Sequence, residues 1–417
     1  MQYYFYDTCA LLHYSEAIFS KGEKFYISNL VLKELEGIKT STYKDENTKY
    51  QARKLGEKLT KFRHTGLYEE ITYCNSWDTE LEQHQTLPDT TDSRIIISAL
   101  LSQTPERQYI FVSDDLYCAG LAESVGLTVD TLENKIQDEY TGYKIFTPKN
   151  DEELAHFYET TINSLDNFEL KNHEYLLVQM GNQIIDKYIR NNDKLERLQD
   201  FITFNSLMFG EVKPKDDFQL IGMDSLRRNK ITVLRGQAGT GKSWLAMTYL
   251  FNQIEKHKLD KIIIFCNPVA TMGSAKLGFY PGSKDDKLLD SQIGNFLSSK
   301  LGDKSKVYDL IDDGTIVLLP MSDIRGYDTT GSHAGIYITE AQNMDIDLMK
   351  LALQRIGEDS VCILDGDDTA QVDLGIYGGM NNGLRRVSEI FRGEDIYGEV
   401  TLPNIYRSKI AQIAQRM

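Results

Sequence analysis

The chain has 417 residues, 41% of them hydrophobic, enough to build the cores of two or three domains and too many for a disordered or low-complexity protein. A formal net charge of -16 excludes indiscriminate electrostatic sticking to nucleic acid or anionic membrane, while leaving room for a local basic groove. The cysteines, Cys9, Cys74, Cys118, Cys266 and Cys362, have neither zinc-site nor disulfide spacing, no apolar run reaches bilayer-spanning length and the opening MQYYFYDTCALL lacks a basic leader, so a soluble cytoplasmic protein that does not engage membranes is expected.

In chain order, residues 1–140 alternate apolar runs with helical patterns: YYFYD, KFYISNLVLKELEGI, DSRIIISALL, QYIFVSDD and LAESVGLTVD. That rhythm predicts a small α/β domain. Asp7 ends the first strand, Glu34 lies in a helix, Asp92 opens another, and Asp115 follows the strand YIFVS. Taken singly, each acid has a plain structural explanation: Asp92 as a helix cap, Glu34 on a solvated face, Asp114 and Asp115 as turn formers. Together they gather at one sheet edge, where carboxylates repel unless divalent cations are shared, and two such ions suit in-line attack on a phosphodiester. The expectation is a nuclease centre using Mg²⁺ or Mn²⁺. Between Lys39 and His64, basic residues interleave with Tyr43, Tyr50 and Phe62, which reads either as an RNA track or as a solvated helix.

Residues 141–215 are predicted to form a connector, with an amphipathic helix over DEELAHFYETTINSL and a hairpin joining EYLLVQM to QIIDKYIR through Gly181-Asn182. It is read as a packed spacer. Residues 216–417 contain the strongest motif in the chain. ITVLRGQAGTGKS couples a strand to a helix start through Gly236, Gln237, Ala238, Gly239, Thr240, Gly241, Lys242 and Ser243, a phosphate-binding loop. Its backbone N–H groups cradle phosphate oxygens, Lys242 reaches the β- and γ-phosphates, and Ser243 ligates Mg²⁺, so nucleotide binding is expected. Gln219, ahead of that strand, offers both an amide donor and an acceptor to an adenine edge. Glu340 ends the strand IYIT, where a phosphate-loop enzyme places the group that orients attacking water; Asp367 ends VCILDGD, and Gln371 follows as a γ-phosphate sensor. Repeated alternation predicts a mostly parallel sheet with helices on both faces.

Two resemblances follow from these residues. The acids of the first third, with VLKEL, Ser113-Asp114-Asp115, Ala122 and Gly126, resemble the PIN-domain ribonucleases; spacing favours Asp115 as the matching acid, with Asp114 as the alternative. From Gln219 onward, QAGTGKS, LGFYPG (277–282), IRG (324–326), EAQN (340–343), Gly366-Asp367 with Gln371 and Asp373, and YRSKIAQIA resemble the PhoH-like ATPases, relatives of superfamily-one helicases. The whole chain is similar to PIN-PhoH fusion proteins, which couple ATP-driven RNA unwinding to RNA cleavage. The resemblance implies RNA as the partner, a hexameric ring, and Arg407 as an arginine finger given to a neighbouring subunit. Three departures stand out: Thr339 replaces the usual Asp before the catalytic Glu, Asn267-Pro268 replaces Arg-Pro, and the Gly-Asp to Gln spacing is one residue longer. Magnesium coordination then falls to Ser243 with Asp365 or Asp367. The leading expectation is an ATP-dependent RNA helicase and metal-dependent ribonuclease. Its alternatives are a nucleotide-gated RNA-binding scaffold with weak ATPase activity and a DNA helicase with an inactive PIN domain.

Overall fold

A computed structural model describes residues 2–44, 46–84, 86–130, 140–160, 168–266, 297–298, 304–367 and 382–406. The chain divides into two compact units, parting between Glu139 and Tyr140.

In the first unit the elements run β1 (Gln2–Tyr6), α1 (Thr8–Lys21), β2 (Phe25–Ser28), α2 (Asn29–Thr40), α3 (Glu46–Phe62), β3 (Tyr68–Ile71), α4 (Asp78–Gln83), α5 (Thr91–Leu101), β4 (Gln108–Val112), α6 (Leu116–Ser124) and β5 (Thr128–Asp130). The strands form one sheet in the order β3-β2-β1-β4-β5, every pairing parallel. Parallel strands need crossover helices, which cover both faces and explain why β2 is buried along its whole length. Helix spacing does the rest: Val31 and Leu35 of α2, four residues apart, are buried, as are Ala52, Leu55 and Leu59 of α3, which line one face at three- and four-residue steps. Several helix starts are fixed by side-chain caps, Asp7 for α1, Ser28 for α2, Thr90 for α5 and Asp115 for α6, each worth about 1 kcal/mol.

The second unit opens with β6 (Tyr143–Phe146), α7 (Asp151–Thr160), β7 (Tyr175–Met180), β8 (Gln183–Asn191), β9 (Lys194–Arg197), β10 (Phe204–Ser206) and β11 (Gly210–Val212). Strands β6 to β9 form a mixed sheet, with Met180 opposite Gln183 across the two-residue turn Gly181-Asn182, and β10 pairs with β11. This connector is not a free-standing subdomain. Tyr175, Leu177, Ile189, Leu198, Phe204, Phe209 and Val212 share one apolar core with Leu220, Ile221, Leu234 and Leu250 of the segment that follows.

That segment contributes α8 (Asp217–Arg228), β12 (Ile231–Arg235), α9 (Lys242–Glu255), β13 (Lys261–Cys266), α10 (Lys304–Asp312), β14 (Ile316–Pro320), β15 (Ala334–Ile338), α11 (Ile346–Leu353), β16 (Val361–Gly366), α12 (Gly383–Phe391) and β17 (Tyr397–Thr401). Its sheet is six-stranded and all parallel, ordered β14-β13-β15-β16-β12-β17. The fold is therefore α/β in both units. Among the described residues no helix is long and apolar enough to cross a membrane.

Connector and sheet are joined at Gly142. Its carbonyl accepts from Tyr175 N, and neighbouring Thr141 O accepts from Thr401 N on β17. Gly142 has φ +81°, and a Cβ there would lie 1.7 Å from the Glu399 carbonyl oxygen. Gly142→Ala is expected to destabilise the second unit by about 3 kcal/mol or more, combining backbone strain with a contact no rotamer can relieve. Thermal and denaturant unfolding check it; an unchanged midpoint would show that the crossing is loosely packed.

Candidate functional site

Because each large sheet is all parallel, its strand ends and the following helix starts meet at one edge. In the second unit that edge collects Gly236–Ser243 after β12, Glu340 after β15, the end of β16, and Leu402–Tyr406 after β17. The loop is shaped by its glycines. Gly236 has φ +135°, and a Cβ on it would stand 2.4 Å from the Leu402 carbonyl oxygen, so no other residue fits between loop and chain. The Lys242 ammonium donates to the Gly236 carbonyl and, at 3.0 Å, to that of Gln237.

Asp365 is the hub of the site. Its Oδ2 accepts from Ser243 Oγ at 2.8 Å and from the Tyr337 hydroxyl at 2.5 Å, and its Oδ1 accepts from Glu340 N at 3.1 Å. Burial pushes the Tyr337 phenol well above its ordinary pKa, so it stays a proton donor. Three donors satisfy a carboxylate that is otherwise closed off from water. Of the two acids open to pair with Ser243, the structure selects Asp365; Asp367 instead turns its backbone N–H to Gln342 Oε1 at 3.2 Å. Gln342 also donates from Nε2 to Glu340 Oε2 at 2.6 Å, steadying the candidate catalytic carboxylate. Glu340 itself has φ +52°, a left-handed conformation that costs a non-glycine residue about 1–3 kcal/mol and marks a backbone held for position.

Gln219 sits beside the loop, not out in a cleft. Its side chain is buried; Oε1 accepts from Lys215 N at 3.0 Å and Nε2 donates to Thr240 O at 2.9 Å. The chain after β17 closes over the same loop: Tyr406 N donates to Gly239 O at 2.9 Å, the Tyr406 hydroxyl donates to Asp216, and the Lys215 ammonium stands 4.6 Å from the Tyr406 ring centre. Underneath, Arg235 Nε pairs with buried Glu399 at 2.7 Å, tying the end of β12 to β17. Gln371, Asp373, Arg407, Asn267-Pro268 and the LGFYPG motif lie outside the described residues.

The first unit assembles its acids at the corresponding edge. Asp7 is buried; Oδ1 accepts from Ala10 N at 2.7 Å, and Oδ2 from Ser113 Oγ at 2.5 Å. Burial raises its carboxyl pKa to about 7, against those two hydrogen bonds and with help from the charges of Asp114 and Asp92. Glu34 accepts from Thr8 Oγ1, and its pKa is also raised by burial and then by Asp92; Asp92 is raised by burial and by Asp115. Asp115 Oδ1 caps α6, accepting from Tyr117 N at 2.8 Å and Cys118 N at 3.2 Å. Asp92 lies in the first turn of α5 but does not cap it; Thr90 does. Asp114 is held from α1 by His13 Nδ1 at 2.8 Å and the Tyr14 hydroxyl at 2.7 Å.

Among the described residues, no three His, Cys, Asp or Glu side chains converge as a formed metal-binding group. The acids are electrostatic neighbours, and the oxygens of Asp7, Glu34 and Asp115 are turned into helix caps and hydroxyl hydrogen bonds. Chemically the donor set still fits a hard divalent cation: it is made of carboxylate oxygens, with the charge of Asp92 raising the carboxyl pKa of Asp7 and of Glu34, and the charge of Asp115 raising that of Asp92. Reading the sequence did not single out Gln342, Tyr337 or His13. Their roles depend on partners 2, 28 and 101 residues away in the chain, and only the Gln342 contact was local enough to suspect.

Residues 4–133 match the PIN domain family, and residues 211–417 match the PhoH-like protein family. Protein PhoH2 of Bacillus subtilis is 28% identical over 444 aligned positions, spanning 99% of this chain and 98% of that protein. Protein PhoH2 of Thermobispora bispora is 26% identical, spanning 78% of this chain and 74% of the relative. A solved Pif1 helicase from Candida albicans aligns with 49% of this chain and 42% of its own at 14% identity, with a TM-score of 0.25. The chain therefore belongs to the PIN-PhoH fusion proteins, a family that pairs a nuclease domain with an NTPase domain.

Proposed function

We propose that this chain is an ATP-dependent RNA helicase and metal-dependent endoribonuclease of the cytoplasm, the ATPase half moving or opening RNA and the PIN half cutting it. The observation that carries the ATPase reading is the Asp365 hub, which supplies Ser243 with the carboxylate partner that Thr339 cannot. In this reading the loop N–H groups bind the phosphates, and Lys242 leaves the Gly236 and Gln237 carbonyls to meet the β- and γ-oxygens. Glu340, steadied by Gln342, orients water at the γ-phosphate. Gln371 as sensor, Arg407 as a finger between subunits and a hexameric ring extend the proposal by family resemblance.

On the PIN side, Asp7, Glu34, Asp92 and Asp115 would hold Mg²⁺ or Mn²⁺, and at the ATPase site Ser243 and Asp365 would hold Mg²⁺. Such ions, when bound, supply Lewis-acid stabilisation of charge on phosphoryl oxygens. Before that, Asp7 gives up the proton that burial favours, and Ser113 and Ala10 N keep the resulting carboxylate in place.

The first test is cleavage of a labelled RNA carrying a duplex and a single-stranded tail, with phosphate release followed in parallel. Lys242→Ala should lower phosphate release by about 100-fold or more while sparing cleavage of the tail. Asp7→Asn should abolish cleavage and leave phosphate release intact. Tight ATP binding without turnover would instead support a nucleotide-gated scaffold, and unwinding of DNA with intact RNA would support a DNA helicase.

Asp7 also predicts a pH dependence. Its folded pKa of about 7 lies above the ordinary carboxyl value of 3.8, so between these pH values the folded chain holds a proton that the unfolded chain loses. Without divalent metal, stability should fall by a few kcal/mol as pH rises from about 4 to 7 and flatten above it. Asp7→Asn should reduce that slope to the part that Glu34 and Asp92 contribute, and Mn²⁺ should restore stability above pH 7 in the native chain only. Unfolding midpoints across pH, with and without metal, decide it.

Gln219 separates two roles. As an adenine reader its loss changes nucleotide choice; as a strut between Lys215 and Thr240 its loss weakens all nucleotides equally. Gln219→Ala is expected to narrow the preference for ATP over GTP about ten-fold, since removing the polar partner of a base edge costs on the order of 1–3 kcal/mol. Equal weakening of both would assign it to the strut alone.

A further inference from the structure

The run Asp114-Asp115-Leu116-Tyr117 presents an unusual surface. Asp114 is pinned to α1 by His13 and Tyr14, and Asp115 binds the backbone N–H of Tyr117. Immediately after these two acids, Leu116 is 83% and Tyr117 67% exposed. The inward face of α6 is already filled by Cys118, Ala119, Leu121 and Ala122, so the pair projects outward by the helix's own geometry.

A single exposed apolar residue means little. Here two stand side by side, on backbone fixed through one candidate ligand carboxylate and its neighbour. Their surroundings limit what they can hold. Asp7 lies in electrostatic reach of Asp114 and Asp92, and Asp92 in reach of Asp115, so a phosphate backbone approaching without cations is repelled. The face of a nucleobase is not, because stacking on an aromatic ring needs no opposite charge and tolerates any base.

We infer that Tyr117, flanked by Leu116, is the platform on which the base next to the cut phosphodiester stacks, so that this side chain positions single-stranded RNA at the acid cluster. The inference rests on reading that cluster as a nuclease centre. It makes Tyr117 a substrate-positioning residue and predicts that the PIN site accepts unpaired nucleotides without regard to base identity.

The test uses the full chain with Mn²⁺ and labelled single-stranded RNA in which one nucleotide at a time is abasic. Tyr117→Ala should raise KM about ten-fold with kcat changed far less, and Tyr117→Phe should recover the loss. For the native chain, an abasic nucleotide at one position beside the cut should raise KM by a similar factor, and the same RNA should cost Tyr117→Ala nothing more. An unchanged KM in Tyr117→Ala, or a loss that is insensitive to the abasic position, overturns the inference. If the native chain cuts no RNA with any metal, the nuclease reading fails by itself; RNA binding followed by fluorescence anisotropy then decides the platform, a ten-fold loss in Tyr117→Ala supporting it and equal binding overturning it.

Discussion

Parallel pairing of the two larger sheets is the constraint from which both candidate sites follow. A parallel sheet needs a crossover after each strand, the crossovers cover both faces, and the strands must then be apolar almost throughout. Polar and charged side chains are left the strand ends and the helix starts. Since all strands in each sheet point one way, those ends share an edge, where helix N-termini also present unpaired N–H groups. Asp7 and Ser113, separated by 106 positions in the chain, meet for this reason, as do Ser243 and Asp365, separated by 122.

The two edges handle buried carboxylates differently. Asp365 receives three donors from two segments, the phosphate loop and the end of β15, and each bond fixes part of the candidate site: the loop serine, a strand tyrosine and the strained backbone of Glu340. Asp7 receives two, one of them from the helix it caps, and burial outweighs them. The first arrangement is a closed scaffold. In the second, acids that also cap helices carry an electrostatic conflict that a bound cation would relieve.

The phosphate loop is supported from far along the chain in both directions. Gln219 and Lys215 precede it, and Leu402 to Tyr406 close over it from beyond the last strand, with the Arg235 and Glu399 pair beneath. The connector belongs to this support. Its strands contribute to the core on which α8 packs, and Gly142 carries the chain past β17 with no room for a side chain.

Much of this was legible in the sequence, where the information is local. ITVLRGQAGTGKS identifies a phosphate loop because strand, glycines, lysine and helix start are contiguous, and the apolar runs foretell parallel strands because burial on both faces requires them. The acids of the first third could be ordered along the chain from their neighbours alone. What the sequence left open were choices between equivalent groups. Asp365 or Asp367 for Ser243 depends on strand register, which sets Leu234 opposite Asp365. Whether Gln219 faces a cleft or the loop depends on how α8 packs, and whether the connector stands apart depends on which core its apolar faces join. Those outcomes are fixed by contacts between residues distant in the chain, and so by tertiary packing.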